Sequence, residues 1–195
     1  MVCCGVGIDL HSIAVPLGAD PVRAIRADPQ LWESACDQPP FAAAWGDEPL
    51  PDISRALLAV VPAGTGWVGH FGDRSFQQAE YLLDPAAYRA GHGAPSAEYR
   101  IIGGDEVFAG HATSGQGFPW RCSSAAFLEV AVRRVDALDV DAARREFSAA
   151  EMVELGVYKA HGDESFDDVL AQLRAFAGHC RAVAAAGLDL IITRY

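Results

Sequence analysis

At 195 residues the chain suits a single domain, and 51% apolar against 21% charged residues excludes a disordered polymer. Acidic residues outnumber basic ones 26 to 15, a formal charge of −11. Without an excess of cations to displace phosphate counterions, the charge argues against a general binder of nucleic acid or of anionic membranes. No run reaches the roughly 18 apolar residues that span a bilayer. Met1 to Gly5 lacks the basic and apolar regions of a secretory signal. The five cysteines are odd in number and irregularly spaced, which predicts a reduced, cytoplasmic protein and not a disulfide scaffold.

Val2, Cys4, Val6, Ile8 and Leu10 are apolar and two apart, the period of a half-buried strand. Asp20-Pro21 and Asp28-Pro29 are helix starts, since Asp accepts from free amides and Pro loses nothing where the amide is unpaired. Short helices are predicted over 21–27 and 29–36. Residues 37–51 hold four of the eleven prolines and read as an irregular insertion or surface loop. Ile53, Ala56, Leu57, Val60 and Val61 have helical spacing, stopped by Pro62, and a loop follows to Gly72. Ser75 with Gln78 reads as a capping box opening another helix, and Asp84-Pro85 starts a short third turn. Residues 99–102 are predicted as a short strand and 103–121 as glycine-rich and irregular.

Helices follow at 124–138, 141–147 and 149–155, the last behind a Ser148/Glu151 capping box. Ser165 opens the longest, whose stripe runs from Phe166 through Leu173 and Cys180 to Ala184 before Gly187 ends it. Leu188, Leu190 and Ile192 alternate as a closing strand. The pattern predicts an α+β fold: a small mixed or antiparallel sheet including both terminal strands, covered by about seven helical segments.

Gly64-Thr65-Gly66-Trp67-Val68-Gly69 matches a dinucleotide fingerprint, but a helical pattern precedes it and no helix opens within it. It reads as a tight glycine loop with Trp67 on the core. His70, His92, His111 and His161 each touch a glycine and are expected in loops; no metal-ligand spacing joins them, and no cofactor is expected. No G-x-S-x-G elbow is present. Cys122 follows Arg121 near a helix start, two features that lower a thiol pKa, with His111 as a base within possible reach. The bland alternative is a buried cysteine beside a capping turn.

The segment Gly110 to Arg121 combines glycines, His111, Ser114, Gln116, Trp120 and Arg121, a make-up suited to recognition. The structural alternative is a crossing in which Phe118 and Trp120 plug the core. From here the chain resembles a known family. Gly115-Gln116-Gly117-Phe118-Pro119-Trp120-Arg121, then Arg133 to Leu138, Ala143 to Ser148 and Glu151 to Tyr158, occur in an order similar to the YfbM-like family, bacterial domains of unknown function. The resemblance chiefly covers 103–195. It implies one cytoplasmic α+β domain over 1–195, and it carries no catalytic residues with it. Two functions follow as expectations. One is a non-catalytic binding module whose acidic surface meets a basic protein partner or a small polar ligand. The alternative is a small hydrolase or transferase acting on an anionic metabolite, with Arg121 clamping the anion, His111 as base, and Cys122 or Ser114 as nucleophile.

Overall fold

The computed structural model describes residues 8–43, 49–91 and 97–194. Its sheet has five strands: β1 (Leu10–Val15), β2 (Val68–His70), β3 (Glu106–Val107), β4 (Arg121–Ser123) and β5 (Asp189–Arg194). The order is β2-β1-β5-β4-β3 and every pairing is antiparallel. The first and last strands lie side by side at its centre, with Ile13 opposite Ile191. Both are covered on two faces, which explains the unbroken apolar run Leu190-Ile191-Ile192 where a half-exposed strand would alternate.

On one face, Leu10, Leu190 and Ile192 meet α4 (Phe76–Leu83), α6 (Ala97–Gly103), α7 (Ala125–Asp136) and α10 (Phe166–Ala185). The stripe expected on the last helix is buried as read, from Phe166 through Leu173 to Cys180. On the other face, Ile13, Val15, Ile191 and Cys122 meet α1 (Asp20–Ala27), α2 (Pro29–Ala35), α3 (Asp52–Val60) and the 108–120 segment. A third cluster joins α4 to α5 (Pro85–Arg89) and α9 (Ala149–Glu154) through Tyr81, Tyr88 and Met152. With α8 (Val140–Glu146) the described residues hold ten α-helices and a 3-10 turn at Gly72–Arg74, more than the seven segments expected.

Several local expectations are corrected. Residues 99–102 are helical, inside α6. The glycine loop ends in an edge strand, β2, so His70 is a strand residue. β1 extends to Val15, beyond the expected alternation, whose first positions lie outside the described residues. Asp28, Asp84, Ser148 and Ser165 each accept from an amide at the start of their helix, as N-caps should. Ser75 makes no such bond, and the expected capping box does not form.

Candidate functional site

The 110–121 segment folds back on itself. Ser114 N donates to Phe118 O at 2.8 Å, and Trp120 N donates to Ala112 O at 2.9 Å. Ser114 is buried, its Oγ accepting from Phe118 N at 3.2 Å. Gln116 is exposed at the tip. Trp120 is 4% exposed and sits edge-on against Trp32 and Trp67, with ring centroids 4.6 and 5.2 Å away. Its indole thus plugs the core, while Phe118 remains partly exposed. Trp67 joins the same cluster and donates from Nε1 to Phe41 O at 2.6 Å.

The groups that carry chemistry in this segment are engaged in holding the chain. His111 Nε2 lies 3.0 Å from Ile25 O in the last turn of α1. A carbonyl only accepts, so Nε2 carries the proton and is not available as a base. Arg121 donates from Nε to Gly104 O at 2.9 Å and from Nη2 to Asp105 O at 3.0 Å, and its guanidinium covers the Tyr99 ring at 5.3 Å. Gly104 makes this approach available: at φ +102° a Cβ there would stand 2.8 Å from Arg121 Cβ. Cys122 is fully buried and its thiol donates to Glu106 Oε1 at 3.5 Å. Burial pushes the thiol up to about 12; Arg26 opposes the shift and Glu106 adds to it. Among the described residues no hydrogen bond joins His111, Ser114, Arg121 and Cys122 to one another. Arg121 lines a cavity of about 20 Å³ with Tyr99 and Arg194, room for about one water molecule.

A polar cluster that sequence reading did not single out lies on the α10 face of the sheet. Ser12 Oγ, fully buried, is 2.7 Å from His70 Nε2 and 3.3 Å from His179 Nε2. The two rings are 4.8 Å apart. Desolvation, reinforced by His179 and His11, lowers His70 to about 4, and desolvation also lowers His179. Both imidazoles are therefore neutral at pH 7, tying β2 and α10 to β1. The one signal for this cluster was a polar residue, Ser12, on a strand face otherwise committed to the core.

A larger cavity, about 260 Å³, opens between the 3-10 turn, the start of α4, the 157–165 turn and the start of α10. The diverted capping-box residues form its floor. Ser75 Oγ donates to Gln172 Oε1 at 2.6 Å, joining α4 to α10. Gln78 Nε2 donates to Lys159 O at 3.0 Å, and Gln77 Oε1 accepts from Tyr158 N at 2.8 Å. Two consecutive glutamines at the start of α4 thereby grip the 157–159 turn. Phe71, Arg74 and Lys159, with φ of 56°, 66° and 60°, are the non-glycine residues in left-handed conformation among those described. All three belong to the segments that wall this cavity. A left-handed non-glycine backbone costs about 1 kcal/mol or more and persists where the surroundings impose it, often at ligand sites.

Its rim is acidic. Asp163, Glu164 and Asp168 line it, against Lys159 and His161. Burial raises Glu164, but the backbone N–H groups of His161, Glu164 and Gly162 outweigh it and hold the carboxyl below its usual range. Among the described residues Asp163 and Asp168 make no ion pair, whereas Asp167 on the next face of α10 is neutralised by Arg144 at 2.6 Å. No group of three or more His, Cys, Asp or Glu among the described residues is arranged to hold a metal ion.

The fold resembles that of YfbM from Escherichia coli. That solved structure, of a protein of unknown function, matches with a TM-score of 0.59 at 11% identity, covering 96% of this chain and 99% of its own. No protein-family model matches the sequence, and no curated protein does. The likeness to YfbM is therefore one of fold, spread over nearly the whole chain and not confined to 103–195. No helix among the described residues is long and apolar enough to cross a membrane.

Proposed function

We propose that this chain is a YfbM-like binding module that recognises a positively charged partner and performs no chemistry through residues 110–122. The observation that carries the reading is the 260 Å³ polar cleft, lined by Asp163, Glu164 and Asp168 beside Lys159 and His161. A net charge of −11 adds long-range attraction for a basic partner. The engagement of His111 with Ile25, of Arg121 with two carbonyls and of Cys122 with the core argues against the nucleophile–base alternative. Residence in a reducing compartment belongs to the same reading and is supported by the free thiols Cys36, Cys122 and Cys180.

Two measurements test it. The immobilised full-length chain is expected to retain a tetra-arginine peptide at low salt, to release it as salt rises, and to ignore tetra-glutamate. Failure to retain tetra-arginine overturns the reading. Incubation with a cell extract is expected to give no time-dependent conversion of any metabolite; a conversion abolished by His111→Ala or Cys122→Ser would instead establish the enzyme.

A further inference from the structure

Away from the acidic cleft, and independent of it, one end of the sheet gathers positive charge. Arg121 on β4 stands opposite Ile192 on β5, and Arg194 follows two residues later on the same strand. Residues two apart on a strand share a face, so both arginines project from the face that α6 covers. Their guanidiniums lie against the same ring, that of Tyr99, at 5.3 and 4.5 Å from its centroid. Two like charges are thereby held around one side chain.

The nearby carboxylates do not balance them. Asp105 is paired with Arg100, and Glu106 with Arg26. Glu80 accepts from Arg194 Nη2 at 3.1 Å and also from the Tyr88 hydroxyl, so one carboxylate answers two guanidiniums. Burial pushes the Glu80 carboxyl up, against the pull of Arg194, and so works against that one counter-charge. Arg121 is half-buried and has no ion pair among the described residues, in a chain where acidic residues outnumber basic ones 26 to 15. The Arg194 side chain is 13% exposed, a depth at which charge and unmade hydrogen bonds are costly. A guanidinium carries several N–H donors in a fork. Arg121 uses Nε on Gly104 O and Nη2 on Asp105 O, and Arg194 uses Nη2 on Glu80. Among the described residues Arg121 Nη1, Arg194 Nε and Arg194 Nη1 have no protein acceptor.

Both arginines line the cavity of about 20 Å³, together with Tyr99, Gly103 and Phe118. Gly103 keeps this space open, since a Cβ there would stand 2.9 Å from Arg194 Nη2 and 3.3 Å from Tyr99 Cζ. One water-sized atom fits. Water accepts hydrogen bonds but brings no charge, and a phosphate or a whole carboxylate group is too large. A monatomic anion has the size, accepts N–H donors from any direction and supplies negative charge where partial burial strengthens the attraction.

We infer that the cavity between Arg121 and Arg194 binds a halide-sized anion, chloride being the physiological member of that class. The ion accepts from the guanidinium donors that have no protein acceptor, offsets the second positive charge and ties the end of the 110–121 segment to β5.

The test uses the full-length chain in sodium methanesulfonate, with chloride exchanged in at constant ionic strength. The quadrupolar linewidth of the chloride resonance is expected to show saturable excess broadening, and Tm is expected to rise by at least about 2 °C. Acetate and phosphate are expected not to displace the ion. Arg121→Gln, its folding checked by circular dichroism, is expected to weaken chloride binding at least about tenfold, and Arg121→Lys, which keeps the charge without the fork, at least about threefold. A crystal of the wild type grown in bromide needs no substituted chain and is expected to show anomalous scattering between Arg121 and Arg194. No saturable broadening by the wild type, equal broadening by the folded Arg121→Gln chain, displacement of chloride by acetate or phosphate at equal concentration, or no bromide at this place would overturn the inference. None of these outcomes depends on whether the chain retains tetra-arginine.

Discussion

The thiol of Cys122 offers a quantitative check on whether residues 110–122 are scaffold or machinery. An activated cysteine beside a base would be substantially thiolate near neutrality. Here burial raises the thiol to about 12 from a reference of 9.0. At about pH 8 that leaves about 10⁻⁴ of the thiol ionised, against about 10⁻¹ for an unperturbed group, a deficit of about a thousandfold before steric protection. Since Cys122 is 0% exposed, reaction also requires local opening, which lowers the rate further. Differential alkylation with iodoacetamide, read peptide by peptide by mass spectrometry, compares Cys122 with the half-buried Cys36 in the same sample. Cys36 should be modified at least about a hundredfold faster, and Cys122 should become reactive only in denaturant. Modification of Cys122 at a rate equal to or above that of Cys36 would refute the scaffold argument and return the thiol to candidacy as a nucleophile.

Further outcomes follow from the same contacts. Gly104→Ala places a methyl 2.8 Å from Arg121 Cβ at φ +102°, and should cost more than about 2 kcal/mol, measured by urea unfolding; a loss below about 0.5 kcal/mol would contradict the packing. Glu80→Ala removes the carboxylate from Arg194, a guanidinium 13% exposed and 3.1 Å away, and should cost about 3–5 kcal/mol. That corresponds to a fall of roughly 6–20 °C in Tm for a chain of this size, visible in a thermal scan. His70 titrates near 4 in the folded chain, below its unfolded value of about 6.5, so the unfolded state takes up the proton first on acidification. Its contribution is complete above about pH 6.5 and is lost as pH falls toward 4, by about 1–3 kcal/mol; His70→Gln should flatten the stability profile over that window. An unchanged slope would show that His70 is not held neutral against Ser12.

The fold was legible where periodicity was long. The Phe166–Ala185 stripe follows from its spacing, the helix starts at Asp28 and Asp84 from an Asp-Pro pair, and the presence of an early and a late strand in one sheet from alternation at both ends; that these two strands pair with each other is seen only in the structure. Short segments were not. Tyr99 to Ile102 carries strand-like residues, yet it is helical because Ile101 and Ile102 both reach the core shared with α7 and α10. The candidate site escaped for a related reason. Ser75 and Gln78 have the spacing of a capping box, a local motif, but tertiary partners at Gln172 and Lys159 take both side chains. Sequence spacing ranks local bonds and is silent on a competitor 81 or 97 residues away. The aromatic content of 110–121 drew attention to a loop whose tryptophan is structural, because composition alone does not distinguish a ring that plugs a core from one that meets a ligand.

The central claim is that an acidic cleft recognises a positively charged group. Calorimetric titration of the full-length chain with a tetra-arginine peptide tests it most directly, comparing the wild type with the Asp163→Asn/Asp168→Asn double substitution. The account predicts saturable binding near one-to-one stoichiometry, at least about tenfold weaker in the substituted chain. Indistinguishable isotherms for the two chains, or no heat with either, would contradict it.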